Sequence, residues 1–159
     1  MDITAVAAVS ENGVIGDGPD LPWHMPHESR RYRERVAGHT VVLGRRTFEM
    51  FNDSPGIHQI VLSRNERSFD ASSATHADSV EAAIDIASEQ DADVLYVLGG
   101  AAIYEAFLPH CDRLLLSRIE GEYEGDAFFP EFDRSMWTLV DETHHEGYTL
   151  EAWDSASRA

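Results

Sequence analysis

With 159 residues, 43% of them hydrophobic, the chain is long enough to bury one core and too short for two ordinary domains, so a single domain over residues 1–159 is expected. One cysteine, Cys111, excludes an intramolecular disulfide and a cysteine-rich metal site. Twenty-nine acids against 12 bases, all of them arginine, give a formal charge of −17, which argues against nucleic acid or an anionic membrane surface as a partner.

No run of about 18 apolar residues is present, and residues 1–20 lack the basic and apolar regions of a secretory leader. A cytoplasmic protein is expected, with no membrane partner. The excess negative charge would repel itself in dilute buffer and is screened at molar salt, where the Debye length is roughly 3 Å. Salt adaptation, with loss of stability when salt is withdrawn, is therefore expected. Regular apolar runs argue against disorder. Eight of the arginines lie between residues 30 and 67, from Arg30 to Arg67. An acidic chain that concentrates arginine in this way has a segment suited to an anionic ligand. Surface solvation is the simpler account of Arg33 and Arg35.

Residues 3–9, Ile-Thr-Ala-Val-Ala-Ala-Val, read as a buried strand whose small side chains leave room for something flat. Residues 10–20 form a glycine-containing connection suited to a mobile loop over a site. Residues 21–28, Leu-Pro-Trp-His-Met-Pro-His-Glu, are stiffened by Pro22 and Pro26 and lead into a helix over residues 28–36. Glu28 falls in its first turn, where the helix dipole favours negative charge. By itself it reads as a capping carboxylate.

A second strand over residues 40–43 runs into Gly44, Arg45, Arg46 and Thr47, then a short helix over 48–51. Free N–H groups, two cations and a hydroxyl at such a helix start make a phosphate cradle. After a turn at residues 52–56, a strand over 59–62 ends in Ser63 and Arg64 and repeats the same logic. A brief strand at 74–77 precedes a helix with capping-box spacing from Asp78 to Glu81 and an apolar face at Val80, Ala83, Ile84 and Ala87. The apolar strand at 94–98 belongs inside a sheet. It ends in Gly99-Gly100 before a helix over 101–108, where a diphosphate can meet bare backbone. This is not the G-x-G-x-x-G dinucleotide fingerprint.

A strand over 113–119 carries Ser117 near its end. An acidic, aromatic connector at 125–130 follows, and strands at 137–144 and 148–153 form a C-terminal hairpin. His144 and His145 are adjacent on a strand and point to opposite faces, so they cannot jointly hold one metal ion; no metal is expected. The pattern is that of an α/β domain, with a mostly parallel central sheet, flanking helices and an antiparallel hairpin edge.

Val14-Ile15-Gly16, Leu21-Pro22-Trp23, Glu28, Gly44-Arg45-Arg46-Thr47, Leu98-Gly99-Gly100, Tyr104 and Glu124-Gly125-Asp126 together resemble dihydrofolate reductases, in order and spacing, over residues 1 to about 153. The acidity and the absence of lysine resemble the salt-adapted archaeal members. The resemblance implies reduction of dihydrofolate to tetrahydrofolate with NADPH, inhibition by antifolates such as methotrexate, and a monomer. It makes Glu28 the acid of the pterin pocket, Ser117 the hydroxyl supporting it, and Trp23 the residue fixing an ordered water. Val6, Ala8, Tyr32, Phe51 and Leu98 would line the pterin and benzoyl pocket. Ala7, Ile15, Tyr104 and Leu98 would surround the nicotinamide. Gly44, Arg45, Arg46 and Thr47 would hold one part of the phosphates, and Gly99, Gly100, Ala101, Ala102 and Ile103 another. Ser63, Arg64 and Arg45 would read the 2′-phosphate, and Asp126 would tune a loop over residues 16–20.

Three positions depart from the family pattern. Ile57 stands where an arginine usually clamps the substrate's tail carboxylate, and Ser29 and Ser54 replace apolar residues around the benzoyl ring. Arg30 or Arg31 is the expected substitute for the lost contact. A pyrimidine reductase of riboflavin synthesis, which shares this fold and NADPH, accounts for Ile57 but not for Trp23 with Glu28. A non-catalytic nucleotide-binding module accounts for neither the acid nor its setting.

Overall fold

A computed structural model describes residues 1–16, 21–51, 53–64 and 73–156. The connection expected over residues 10–20 is therefore seen only up to Gly16. Ten strands and four α-helices are found among the described residues. They are β1 (Asp2–Ser10), β2 (Val14–Gly16), α1 (Pro26–Val36), β3 (Thr40–Gly44), α2 (Arg45–Met50), β4 (His58–Leu62), β5 (Ala74–Ala77), α3 (Val80–Glu89), β6 (Val94–Val97), α4 (Ala101–Phe107), β7 (Arg113–Ile119), β8 (Ala127–Phe128), β9 (Trp137–His145) and β10 (Tyr148–Ser155).

Eight strands form one sheet in the order β5-β4-β3-β6-β1-β7-β10-β9. From β5 to β7 every pairing is parallel, and β10 and β9 add the antiparallel edge. Parallel strands buried on both faces need continuous apolar sequence, and β1, β3 and β7 supply it. Period-two alternation sorts their side chains into two cores. Ile3, Ala5, Ala7, Leu114 and Leu116 pack on the face that carries α3 and α4. Val6, Leu43, Tyr96 and Leu115 pack on the other, with Tyr32 of α1 and Phe48 of α2. The same alternation puts Ser117 on the face of Leu115, beside its register partners Ala8 and Leu150.

Several boundaries differ from the expected ones, each for a local reason. Helix α1 starts at Pro26 rather than at residue 28, because a proline at the first helical position lacks an N–H that would be unpaired there anyway. Helix α2 begins at Arg45, immediately after Gly44, so Arg45, Arg46 and Thr47 form its first turn rather than preceding it. The cap of α3 is Ser79, whose hydroxyl accepts from Ala82 N at 3.0 Å; Asp78 lies one residue outside. Val14–Gly16, expected to be loop, pairs with Ala127–Phe128 as a separate two-stranded sheet.

Candidate active site

The carboxyl-terminal ends of β1 and β6 open onto a cleft of about 370 Å³, completed by α1, α2, α4 and β2. Ala7, Ala8, Ile15, Glu28, Tyr32, Thr47, Phe51, Leu98, Gly100 and Tyr104, all expected at a site, line it. So do Leu21, Ser29, Arg33 and Met50, of which sequence reasoning singled out only Ser29 as a site position.

Glu28 is 5% exposed and, among the described residues, is the only carboxylate in the lining. It sits in the first turn of α1, at the helix's positive end, near Val6 of β1 and Ser117 of β7. Burial raises its pKa above the ordinary carboxyl range, and a hydrogen bond with the Ser117 side chain opposes part of that rise. Tyr32 is partly buried and Tyr104 buried at the same cleft; desolvation and the field of nearby groups, Glu28 among them, hold both phenols protonated. The Tyr104 hydroxyl donates to Val6 O at 2.7 Å, pinning α4 to β1 across the cleft floor.

Trp23 lies behind the cleft rather than in its lining. It packs with Val14, Ile119, Tyr148 and Ala8, and meets Tyr123 edge-on with centroids 5.3 Å apart. Its indole N–H is buried without a protein hydrogen-bond partner among the described residues. An aimed N–H of this kind suits a bound water or a ligand acceptor.

The glycine end of β6 is built for close approach. The Gly99–Gly100 peptide is cis, and Gly99 has φ +98°, where an added Cβ would lie 2.7 Å from the Tyr104 ring. Gly44 N–H donates to Gly99 O at 2.9 Å, so the starts of α2 and α4 sit side by side. Neither helix start is capped by a side chain. Thr47 and Gly100 face each other at the cleft, where a Cβ on Gly100 would approach Thr47 Oγ1 at 3.7 Å. Ala101, Ala102 and Ile103 form the first turn of α4. β3 and β4 are paired with Gly44 opposite Leu62, which brings Arg45 close to Ser63 and Arg64 at neighbouring strand ends. Arg45 is paired with Glu49 at 3.1 Å, and Arg46 and Arg64 are exposed.

A model of the dihydrofolate reductase family matches residues 2–155. The chain belongs to the dihydrofolate reductase family. It is 35% identical to dihydrofolate reductase 1 of Haloarcula marismortui, over 98% of this chain and 92% of that protein. It is also 35% identical to dihydrofolate reductase HdrB of Haloferax volcanii, over 94% of this chain and 81% of that one. Among solved structures it resembles dihydrofolate reductase from Enterococcus faecalis complexed with NADP(H) and RAB-propyl. That likeness has a TM-score of 0.80 and 32% identity, over 97% of this chain and 96% of the other. Two of the relatives of this dihydrofolate reductase family member are thus haloarchaeal proteins.

The departures from the family pattern resolve unevenly. Ile57 is exposed on the turn before β4, with its N–H bonded to His39 O at 2.8 Å, and it is not part of the cleft lining. Ser29 lines the cleft and Ser54 does not. The arginine brought to the cleft is neither Arg30 nor Arg31 but Arg33, expected only as helix surface. Its guanidinium lies 5.1 Å over the Phe51 ring and donates to Asp53 O at 2.8 Å. Asp126 N–H donates to Gly16 O at 3.1 Å, so the acidic connector grips the chain where the connection at residues 17–20 begins.

Proposed function

We propose that this chain reduces dihydrofolate to tetrahydrofolate with NADPH, and that Glu28 manages the proton delivered to N5 of the pterin. The observation that carries this reading is the buried carboxyl of Glu28 in a largely apolar cleft, beside bare glycine backbone suited to phosphates. When bound, NADPH supplies the hydride that goes to C6 of the pterin. Thr47, the starts of α2 and α4, and the cations Arg45, Arg46 and Arg64 with Ser63 would hold its phosphates; Ala7, Ile15, Leu98 and Tyr104 would flank its ring.

Glu28 would hydrogen-bond the amidine-like edge of the pterin. Because burial raises its pKa, it keeps a proton at higher pH than an exposed carboxyl does. Val6, Ala8, Tyr32 and Phe51 orient the substrate, Ser117 holds the carboxyl, and the Trp23 N–H supplies a donor for water at the site. Alignment of two flat rings and exclusion of solvent supply the remaining acceleration. The same reading makes the protein a cytoplasmic, single-domain monomer sensitive to methotrexate.

The test is NADPH oxidation with dihydrofolate in molar salt, comparing the parent with Glu28→Gln across pH. Methotrexate-sensitive turnover is expected, falling as pH rises through the elevated pKa of Glu28. The variant should lose about 100-fold or more, the usual cost of removing an acid group. A folded, NADPH-binding sample that does not turn over dihydrofolate would exclude the assignment and turn attention to a smaller pterin or pyrimidine substrate.

A further inference from the structure

Glu28 faces two spaces. One is the cleft; the other is a separate, partly open cavity of about 20 Å³ walled by Glu28, Ser117, Tyr148, Arg31 and Arg35, with Val6, Tyr32 and Leu150 completing the lining. A single water needs roughly 10–15 Å³ and two to four polar partners, and both requirements are met here. The cavity lies on the β10 side of the acid, where Ser117 pairs in register with Leu150, two residues from Tyr148.

Tyr148 connects this cavity to solvent. It is 1% exposed, yet its hydroxyl lies 2.9 Å from Nδ1 of His27, which is exposed in the first turn of α1. The Tyr148 ring is fixed by stacking on His145, with centroids 4.8 Å apart and an interplanar angle of 20°. Around these groups stand Arg31 from α1, His145 from β9, and Ser117 and Tyr32 against Glu28 itself. Glu28 and Arg31 both act electrostatically on the Tyr148 hydroxyl.

On the reading of Glu28 given above, on which this inference rests, one proton leaves the acid in every turnover. Two flat ligands then cover its cleft side. We propose that Glu28 is reloaded from the opposite side, through His27, Tyr148 and one water in the small cavity. His27 takes a proton from solvent at Nε2 and gives up its Nδ1 proton to the Tyr148 oxygen. Tyr148 passes its own hydroxyl proton to the water, and the water gives one to the carboxylate. One proton moves inward, and Tyr148 and the water end neutral. The exposed His27 ring turns away from Tyr148, loses its Nε2 proton, takes one at Nδ1 from solvent and turns back in its first tautomer. Tyr148 and His27 are thus positioning and relay residues that never touch the pterin.

The experiment measures kcat and KM for dihydrofolate across pH, with NADPH and molar salt, in Tyr148→Phe, His27→Ala and Glu28→Gln. Tyr148→Phe keeps the ring and its stacking but removes the O–H. Its kcat should fall by about tenfold, less than the loss of the acid itself, with KM unchanged and the deficit widening as pH rises. His27→Ala changes an exposed side chain, should show the same pattern, and should be rescued by added imidazole, to which a merely structural role would not respond. Imidazole rescue decides the matter alone if Tyr148→Phe does not fold. Parental kcat profiles in both relay variants, with Glu28→Gln impaired, would overturn the relay and leave the role of Glu28 standing. Full activity in Glu28→Gln would overturn both.

Discussion

Arg33 is the basic side chain in the cleft lining, and it sits where α1 meets the turn after α2. Its guanidinium is held by a carbonyl of Asp53 and by the face of Phe51, with the exposed Asp53 carboxylate 4.0 Å away. A cation presented at the mouth of an apolar cleft favours a substrate whose outer end is anionic, as the glutamate tail of a folate is. Arg33→Gln should therefore raise the KM for dihydrofolate by about tenfold, the equivalent of roughly 1.4 kcal/mol and typical of a charge-assisted hydrogen bond. A dihydropterin without carboxylates should show no such change. Equal effects on both substrates would mean that Arg33 only packs on Phe51. Nothing in the sequence separates Arg33 from Arg30, Arg31 and Arg35, since four arginines on one short helix look alike until the helix is docked. Glu28 was legible only through the motifs around it, Leu21-Pro22-Trp23 above all, because a lone carboxylate in a first helical turn reads as a cap.

At the scale of elements, the small β2–β8 sheet holds the chain at Gly16, its entry to residues 17–20. Gly125, just before β8, touches that entry: an added Cβ would lie 2.5 Å from Gly16 O and would also overlap Val14 Cγ1. Neither contact is the yielding end of a long side chain. Gly125→Ala should thus push β2 away from β8, break the Asp126-to-Gly16 hydrogen bond and cost about 1–3 kcal/mol, as overpacking of a fitted site does. Ile15 would move with β2, so kcat and the KM for NADPH should both worsen. A variant with parental melting temperature and kinetics would show that β2 yields freely. Motif spacing pointed to Gly125 and Asp126, but the pairing itself was hidden, because strands of two and three residues carry no readable alternation. The long parallel strands were legible for the converse reason. Buried on both faces, they must be apolar from end to end, and the glycines and hydroxyls that interrupt them mark the site. Helix starts were the weaker reading, since Asp78 and Ser79 are both good caps and only backbone geometry selects Ser79.

At the scale of the molecule, fold and charge pull in opposite directions. The sheet, its two cores and the cleft need nothing but ordinary apolar packing, whereas a formal charge of −17 on 159 residues works against compaction. Arginine pairs neutralise some carboxylates, among them Glu49, Glu151 and Asp154, but acids outnumber bases more than two to one, so pairing cannot absorb the excess. The outer strand β9 shows the consequence. It is exposed along most of its length and presents Asp141 and Glu142 at the sheet edge, a placement that also discourages edge-to-edge pairing of two sheets. In dilute buffer these charges act over about 10 Å or more, and at molar salt over roughly 3 Å, so repulsion that destabilises the fold at low salt fades as salt rises. The melting temperature and the fraction of active enzyme should both climb between about 0.1 M and 2 M KCl. Replacing Asp141 and Glu142 with their amides should flatten that climb, raising stability most at low salt and little at high salt. Salt acting only by strengthening apolar burial would instead leave the slope of the double variant equal to that of the parent. Parallel melting curves for the two proteins across the KCl series would therefore refute screening as the source of the salt requirement.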